Sequence, residues 1–254
     1  MILDAFKLDG KVALVTGAGQ GLGQAMAIAL AEAGADIASL DRNECEETCK
    51  SIQTLQKKYH EAVVDLREAS VDDLNEVVAN VVKALGCIDI LVNNAGTIRR
   101  TPAVDFSEED WDDVLQINLK AAFFLSQAAA RAMIKQGGGK IINIASMLSF
   151  QGGITVPSYT ASKSALAGVT RALANEWAKD NINVNAIAPG YMATDNTAAL
   201  RADADRNTAI LARIPADRWG TPDDLKGTIV FLASSASDYL NGAIIPVDGG
   251  WLAR

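Results

Sequence analysis

Short apolar runs rich in β-branched residues recur along the 254-residue chain and alternate with longer stretches of helical character. Strands separated by helical segments assemble into a parallel sheet covered on both faces. The runs predict strands over 12–16, 36–41, 62–65, 88–92, 140–145, 183–188 and 243–247, seven in all. The stretches between them predict helices over 22–33, 44–58, 71–84, 108–136, 158–179 and 222–234. Ser107 before Glu108, Glu109 and Asp110 reads as an N-cap with an acidic first turn, as does Thr221 before Pro222 and Asp224. The glycine run 137–139 ends the long helix. Residues 190–220 show no clear strand and read as a flap. Without repeat, low-complexity tract or linker, residues 1–254 read as one α/β domain.

Composition narrows the function classes. Apolar residues at 49% and charged residues at 21% fit a compact globular protein. A formal charge of −8 repels nucleic-acid phosphates and anionic lipid, so neither is expected as a partner, and an anionic substrate needs a local cation. The segment MILDAFKLDG lacks the basic stretch and apolar core of a secretory leader, and no run reaches membrane-spanning length, so a cytoplasmic location is expected. Cys45, Cys49 and Cys87 form an odd set with no histidine cluster, which predicts free thiols and no metal site. His60 is the only histidine and reads as a surface or strand-edge residue, leaving none for a serine-hydrolase triad.

Candidate chemistry begins after the first strand, at Thr16-Gly17-Ala18-Gly19-Gln20-Gly21-Leu22-Gly23 opening into a helix. Glycines there let the backbone turn sharply and bring its amides to a pyrophosphate at the helix's positive end. Asp41 ends the second strand, 18 residues after Gly23, where a carboxylate can accept from both adenine-ribose hydroxyls and repel a 2′-phosphate. That favours NAD over NADP, although Arg42 beside it could pair with such a phosphate. Asn93-Asn94-Ala95-Gly96 follows the fourth strand. Tyr159 and Lys163, four apart on one helical face, offer a phenol and an ammonium that stabilises phenolate. Such a tyrosine serves as base in alcohol oxidation and as acid in the reverse direction. Ser146, at a strand end 13 residues before Tyr159, is placed to hold the substrate oxygen. Asn118 sits in mid-helix, an awkward place for its residue type.

In this order the glycine turn TGxxxGxG, NNAG, Asn118, Ser146 and YxxxK resemble the short-chain dehydrogenase/reductase family. The resemblance runs from Leu8-Asp9-Gly10-Lys11-Val12 to Val247-Asp248-Gly249-Gly250-Trp251-Leu252-Ala253-Arg254. It implies a single-domain Rossmann-like doubly wound fold, with a seven-stranded parallel sheet flanked by helices on both faces. It also implies NAD-dependent hydride transfer to or from a secondary alcohol carbon. The implied cofactor contacts are Gly17, Gln20, Gly21, Leu22 and Gly23 at the pyrophosphate turn, Asp41 at the ribose, and Asp65 and Leu66 at the adenine. Asn93, Ala95, Gly96, Tyr159, Lys163, Pro189, Gly190, Met192 and Thr194 complete the set toward the nicotinamide. Asn118 is implied to hold a water joining Lys163 to solvent.

Within the family, residues 91–100, 141–153, 157–164 and 185–194 resemble dehydrogenases of deoxy-sugar acids that serve uronate catabolism. The substrate-side candidates are Arg99 and Arg100, one of which could grip a carboxylate, with Ser146, Tyr159, Gln151 and Met192 around it. A solvated arginine pair at a loop tip is the plainer reading of 99–100. Two other functions fit less well: a reductase of carrier-protein-bound acyl groups, which needs a basic docking patch that a net charge of −8 disfavours, and a regulator that binds NAD without turnover, which has no reason to retain Asn118, Ser146, Tyr159 and Lys163 together. The apolar positions of 114–133 leave no polar helical face, so a second subunit or the flap must cover them. The resemblance implies a homotetramer.

Overall fold

Seven parallel strands form one sheet in the order β3-β2-β1-β4-β5-β6-β7. The computed structural model describes residues 1–253, and Arg254, the last residue of the C-terminal motif above, lies outside the described residues. The strands are β1 (Val12–Thr16), β2 (Asp36–Asp41), β3 (Tyr59–Val63), β4 (Ile90–Asn93), β5 (Gly139–Ile144), β6 (Ile182–Pro189) and β7 (Ile244–Val247). The central ones are buried on both faces, which is why they read as continuous apolar runs.

Helices α1 (Gly21–Glu32), α2 (Glu46–Thr54) and α9 (Lys226–Ala233) contribute to a core with Val15, Ile37, Val92 and Ile144. On the other face α3 (Val71–Leu85), α5 (Ala122–Gln136) and α6 (Pro157–Trp177) lie over the sheet, where Leu14, Leu40, Leu91 and Ile141 meet Val78, Leu125 and Leu173, and α4 (Glu108–Leu115) packs against α6. Strand order reverses between β1 and β4, so their carboxyl ends open a crevice where such sheets take ligands.

Several boundaries differ from the sequence reading. The third strand is Tyr59–Val63 rather than 62–65, because Ile37 to Asp41 of β2 pair in register with those five residues. As an edge strand it needs no apolar run, and it carries His60. Helix α2 ends early, Gln56 adopting a positive φ of 58° that stops it. The expected helix 108–136 is three pieces: α4, a π-helical segment Gln116–Ala121, and α5. The expected helix 222–234 opens with a 3-10 turn, Pro222–Leu225, before α9.

Residues 190–220 contain α7 (Ala198–Ala202) and α8 (Ala204–Leu211). Their ends meet in a bridge between Met192 and Gly220. The segment packs on Met147 and Trp251 through Ile210 and Ile214, with Tyr191 edge-on to both Trp219 and Trp251. Among the described residues no helix is long and apolar enough to cross a membrane.

Candidate active site

The turn between β1 and α1 is held from two sides. Asn94 donates through Nδ2 to the carbonyls of Thr16 (2.9 Å) and Gly17 (3.2 Å), while Thr16 Oγ1 accepts the amides of Asn94 and Ala95. Thr48 of α2 donates to the Ala18 carbonyl at 2.8 Å. A side chain at Gly23 would collide with the Gly17 carbonyl, and Gly17 itself has φ of 65°. Above Gly21 the space is open, with only Thr194 Cγ2 at 3.9 Å from where a Cβ would sit. No acidic residue occupies the first turn of α1 and no side chain caps it, which leaves its first amides available to an anion. A diphosphate fits this cradle. Asp41 lies beside it, its carboxylate accepting the amides of Gly19 (3.0 Å) and Arg42 (2.8 Å).

The second cluster assembles at the ends of β4 and β5. Tyr159 and Lys163 rise from the first turns of α6, with Lys163 Nζ 5.7 Å from the phenol ring centre. The Lys163 side chain is buried and donates to the Ile144 carbonyl at 2.6 Å. Burial lowers its pKa from 10.5 to about 8. Burial raises the Tyr159 phenol above its usual value, while a hydrogen bond with Ser146 and the positive charge of Arg100 pull it back down. Arg100 is thus a cation acting on Tyr159 in addition to Lys163, the one to which the sequence points.

Asn118 is buried in the π-helical segment, where the widened turn is a common mark of functional positions. Its amide clasps Thr97 by accepting the Thr97 amide (2.8 Å) and donating to the Thr97 carbonyl (3.0 Å). It also donates to Ser162 Oγ at 3.1 Å, and Ser162 donates to the Tyr159 carbonyl at 2.8 Å. Ser149 plays a matching part, accepting the Ser146 amide and donating to the Lys163 carbonyl at 2.7 Å. Sequence reasoning missed Ser149 and Ser162. Only their spacing from Ser146 and Lys163 could have signalled them, because serine is common in loops and helix starts alike.

The remaining candidates divide. Thr194 comes beside the glycine turn, and Pro189-Gly190 follows β6, where a side chain on Gly190 would lie 2.5 Å from Asp248 Cα. Asp65 accepts the Arg67 amide at 2.9 Å, and the Leu66 carbonyl accepts from Gln116. Asn93 is committed to the core, its Nδ2 donating to Ser126 and Asn143, so any contact with a ligand falls to its backbone. Met192 is buried with the α1 and α9 core and its sulfur packs at Gly220. Gln151 accepts from the Trp251 indole at 3.3 Å. Arg99 is engaged by Asp110 (3.0 Å) and Asp113 (3.2 Å), whereas Arg100 is exposed and among the described residues hydrogen-bonds only to the Asn196 carbonyl, at 3.4 Å.

A family model described as Enoyl-(Acyl carrier protein) reductase matches residues 17–252. The chain is 63% identical to the 2-dehydro-3-deoxy-D-gluconate 5-dehydrogenase of Escherichia coli, covering 100% of both chains. It is 55% identical to the protein of the same name from Bacillus subtilis, over 99% of this chain and 98% of that one. Among solved structures, a gluconate 5-dehydrogenase from Burkholderia cenocepacia in complex with NADP and tartrate superposes with a TM-score of 0.95, at 40% identity and full coverage of both chains.

Proposed function

This chain belongs to the short-chain dehydrogenase/reductase family, and we propose that it works as a 2-dehydro-3-deoxy-D-gluconate 5-dehydrogenase, using NAD, in uronate breakdown downstream of pectin. The observation that carries the substrate class is Arg100. It is near enough for its charge to act on the Tyr159 phenol, and among the described residues no carboxylate pairs with it. A guanidinium free at the mouth of an acidic protein's reaction site suits a sugar-acid carboxylate, which it can hold in a bidentate grip. Each of the three guanidinium nitrogens of Arg99 is already engaged, by Asp110, Asp113 and Thr97.

In the proposed site the amides of 17–23 cradle the cofactor's diphosphate and Asp41 takes the adenine ribose. Asp65 and Leu66 border the adenine, and Ala95, Gly96, Pro189, Gly190 and Thr194 border the nicotinamide end. The bound nicotinamide supplies the hydride acceptor. Ser146 and Tyr159 hold the substrate hydroxyl between them, and Tyr159 withdraws its proton as the carbon is oxidised. Lys163, whose amine lies 5.7 Å from the centre of the phenol ring and is harder to charge than a free lysine, is in this reading the second cation after Arg100 to bias Tyr159 toward phenolate. Asn118 fixes the Thr97 loop and, through Ser162, the start of α6.

NAD is proposed over NADP because the Asp41 carboxylate stands where a 2′-phosphate would bring two further negative charges. The decisive experiment assays 3-deoxy-sugar acids and their keto forms with each nicotinamide, alongside an acyl-carrier-protein thioester. Turnover of a sugar acid with NAD supports the proposal. Turnover of the thioester alone favours the acyl reductase that the matched family model describes. Binding of NAD without turnover of anything favours the regulator.

The proposed assembly is a homotetramer. Ile117, Leu119, Phe123 and Phe124 stay partly exposed in the single chain, and residues 190–220 pack at Trp251 instead of covering them. A sedimentation mass near four chains of 26.8 kDa supports the tetramer, and one near a single chain refutes it.

A further inference from the structure

Two loops border the proposed cofactor site at opposite ends, and both are tied to one helix. The loop after β3 carries Asp65, Leu66 and Arg67. The loop after β4 carries Gly96, Thr97 and Arg99. Between them stands Asp113 on α4, buried, with one carboxylate oxygen 2.7 Å from Arg67 Nε and the other 3.2 Å from Arg99 Nη2. The neighbouring turns repeat the pattern. Gln116 donates to the carbonyls of Leu66 and Ala69, while Asn118 clasps Thr97 on both sides of its peptide. Arg99 also donates to Thr97 Oγ1 at 2.9 Å.

The charge arithmetic fits a link better than a stabilising pair. Asp113 is buried while both arginines stay partly in water, and a buried carboxylate recovers its desolvation poorly from such partners. Each arginine already has a second acid, Glu109 for Arg67 and Asp110 for Arg99, so neither needs Asp113 to be neutralised. What Asp113 alone provides is a rigid bridge, because a carboxylate with both oxygens engaged fixes the two guanidinium planes relative to each other.

We propose that Asp113 is a positioning residue coupling the adenine-side loop to the catalytic loop, so that occupation of the adenine end orders Thr97 and, through Asn118 and Ser162, Tyr159. The inference rests on the dehydrogenase reading for its kinetic consequence only. Its structural consequence is read separately by hydrogen exchange with AMP as the probe, which reaches the adenine end and has no nicotinamide. In the parent protein AMP slows exchange at 65–69 and also at 96–101. In Asp113→Asn the first protection stays and the second disappears.

The kinetic arm is a double-mutant cycle on kcat with NAD. Asp113→Asn and Arg67→Lys each lower kcat by about tenfold, and the double variant is no worse than the poorer single one. Additive losses, protection at 96–101 that survives in Asp113→Asn, or none there in the parent overturn the proposal. Should Asp113→Asn fail to fold, Arg67→Lys decides the matter, since it keeps the charge but removes the Nε contact and must also abolish the transmitted protection. A parent with no sugar-acid turnover counts against the dehydrogenase reading alone, because the exchange experiment still tests the coupling.

Discussion

Replacing Lys163 by methionine removes turnover and lifts a pH-dependent burden on the fold that is heaviest at and below neutral pH. The Lys163 side chain is buried with one hydrogen bond, to the Ile144 carbonyl, and its pKa falls from 10.5 to about 8. A folded-state pKa below the unfolded value means that the unfolded chain binds the proton more tightly, so the lysine's contribution improves as pH rises. The penalty is complete below the folded pKa, fades between pH 8 and 10.5, and is absent above. A shift of this size corresponds to about 3 kcal/mol at pH 7, falling to about 1 kcal/mol at pH 10. Methionine has nearly the same length and carries no penalty, but it strands the Ile144 carbonyl at a cost of about 1–3 kcal/mol that does not vary with pH. The pH-dependent part is therefore the clean quantity. Urea unfolding of parent and Lys163→Met, at one chain concentration and without cofactor, should show the variant's relative stability falling by about 2 kcal/mol between pH 7 and pH 10. A difference that stays flat across that range refutes the buried, destabilised ammonium.

Tyr159→Phe keeps the ring's packing and removes the exchangeable proton, so kcat should fall by about 10²–10⁴ with NAD binding retained; activity within a few-fold of the parent rules out Tyr159 as the proton carrier. Asp41→Ala removes a ribose acceptor and a repulsive charge, and should shift the NAD to NADP ratio of kcat/KM by about tenfold or more toward NADP. An unchanged ratio places the discrimination elsewhere. Arg100→Ala should raise KM for acidic sugars over a neutral analogue and move the rising limb of the oxidation pH profile to higher pH, because Arg100 lowers the Tyr159 pKa. Arg99→Ala should leave that selectivity intact and lower the unfolding midpoint instead; the opposite pattern exchanges their roles.

The central sheet was readable because burial on both faces leaves little but apolar residues in a strand, as at Val12–Thr16, placed to the residue. Edge position hid β3: its outer side meets solvent, so Tyr59, His60 and Glu61 give no apolar run. The π-helical segment was invisible for another reason. Apart from Asn118, residues 116–121 have ordinary helical composition, and the widened turn accompanies the clasp between Asn118 and Thr97, a contact 21 residues apart. Motif spacing marked Ser146, Tyr159 and Lys163, which the fold does bring together. It could not separate Arg99 from Arg100, because the difference lies in Asp110 and Asp113, on a helix that sequence distance alone does not place.

The strand order has a consequence for how the chain is made. Strands β1, β2 and β3 can pair as soon as residue 63 has left the ribosome, yet the other edge of β1 faces β4, and Ala13 meets Ile90 there. Until some ninety residues have emerged, a strand destined for complete burial therefore waits with one side of its hydrogen-bonding ladder open. Parallel pairing across such separations is slow, and an open apolar edge invites wrong partners during synthesis. The capping box at Ser70 and the left-handed Gly86 that bound α3 then bear on timing, because they favour early formation of the crossover helix that delivers β4 to the exposed side of β1.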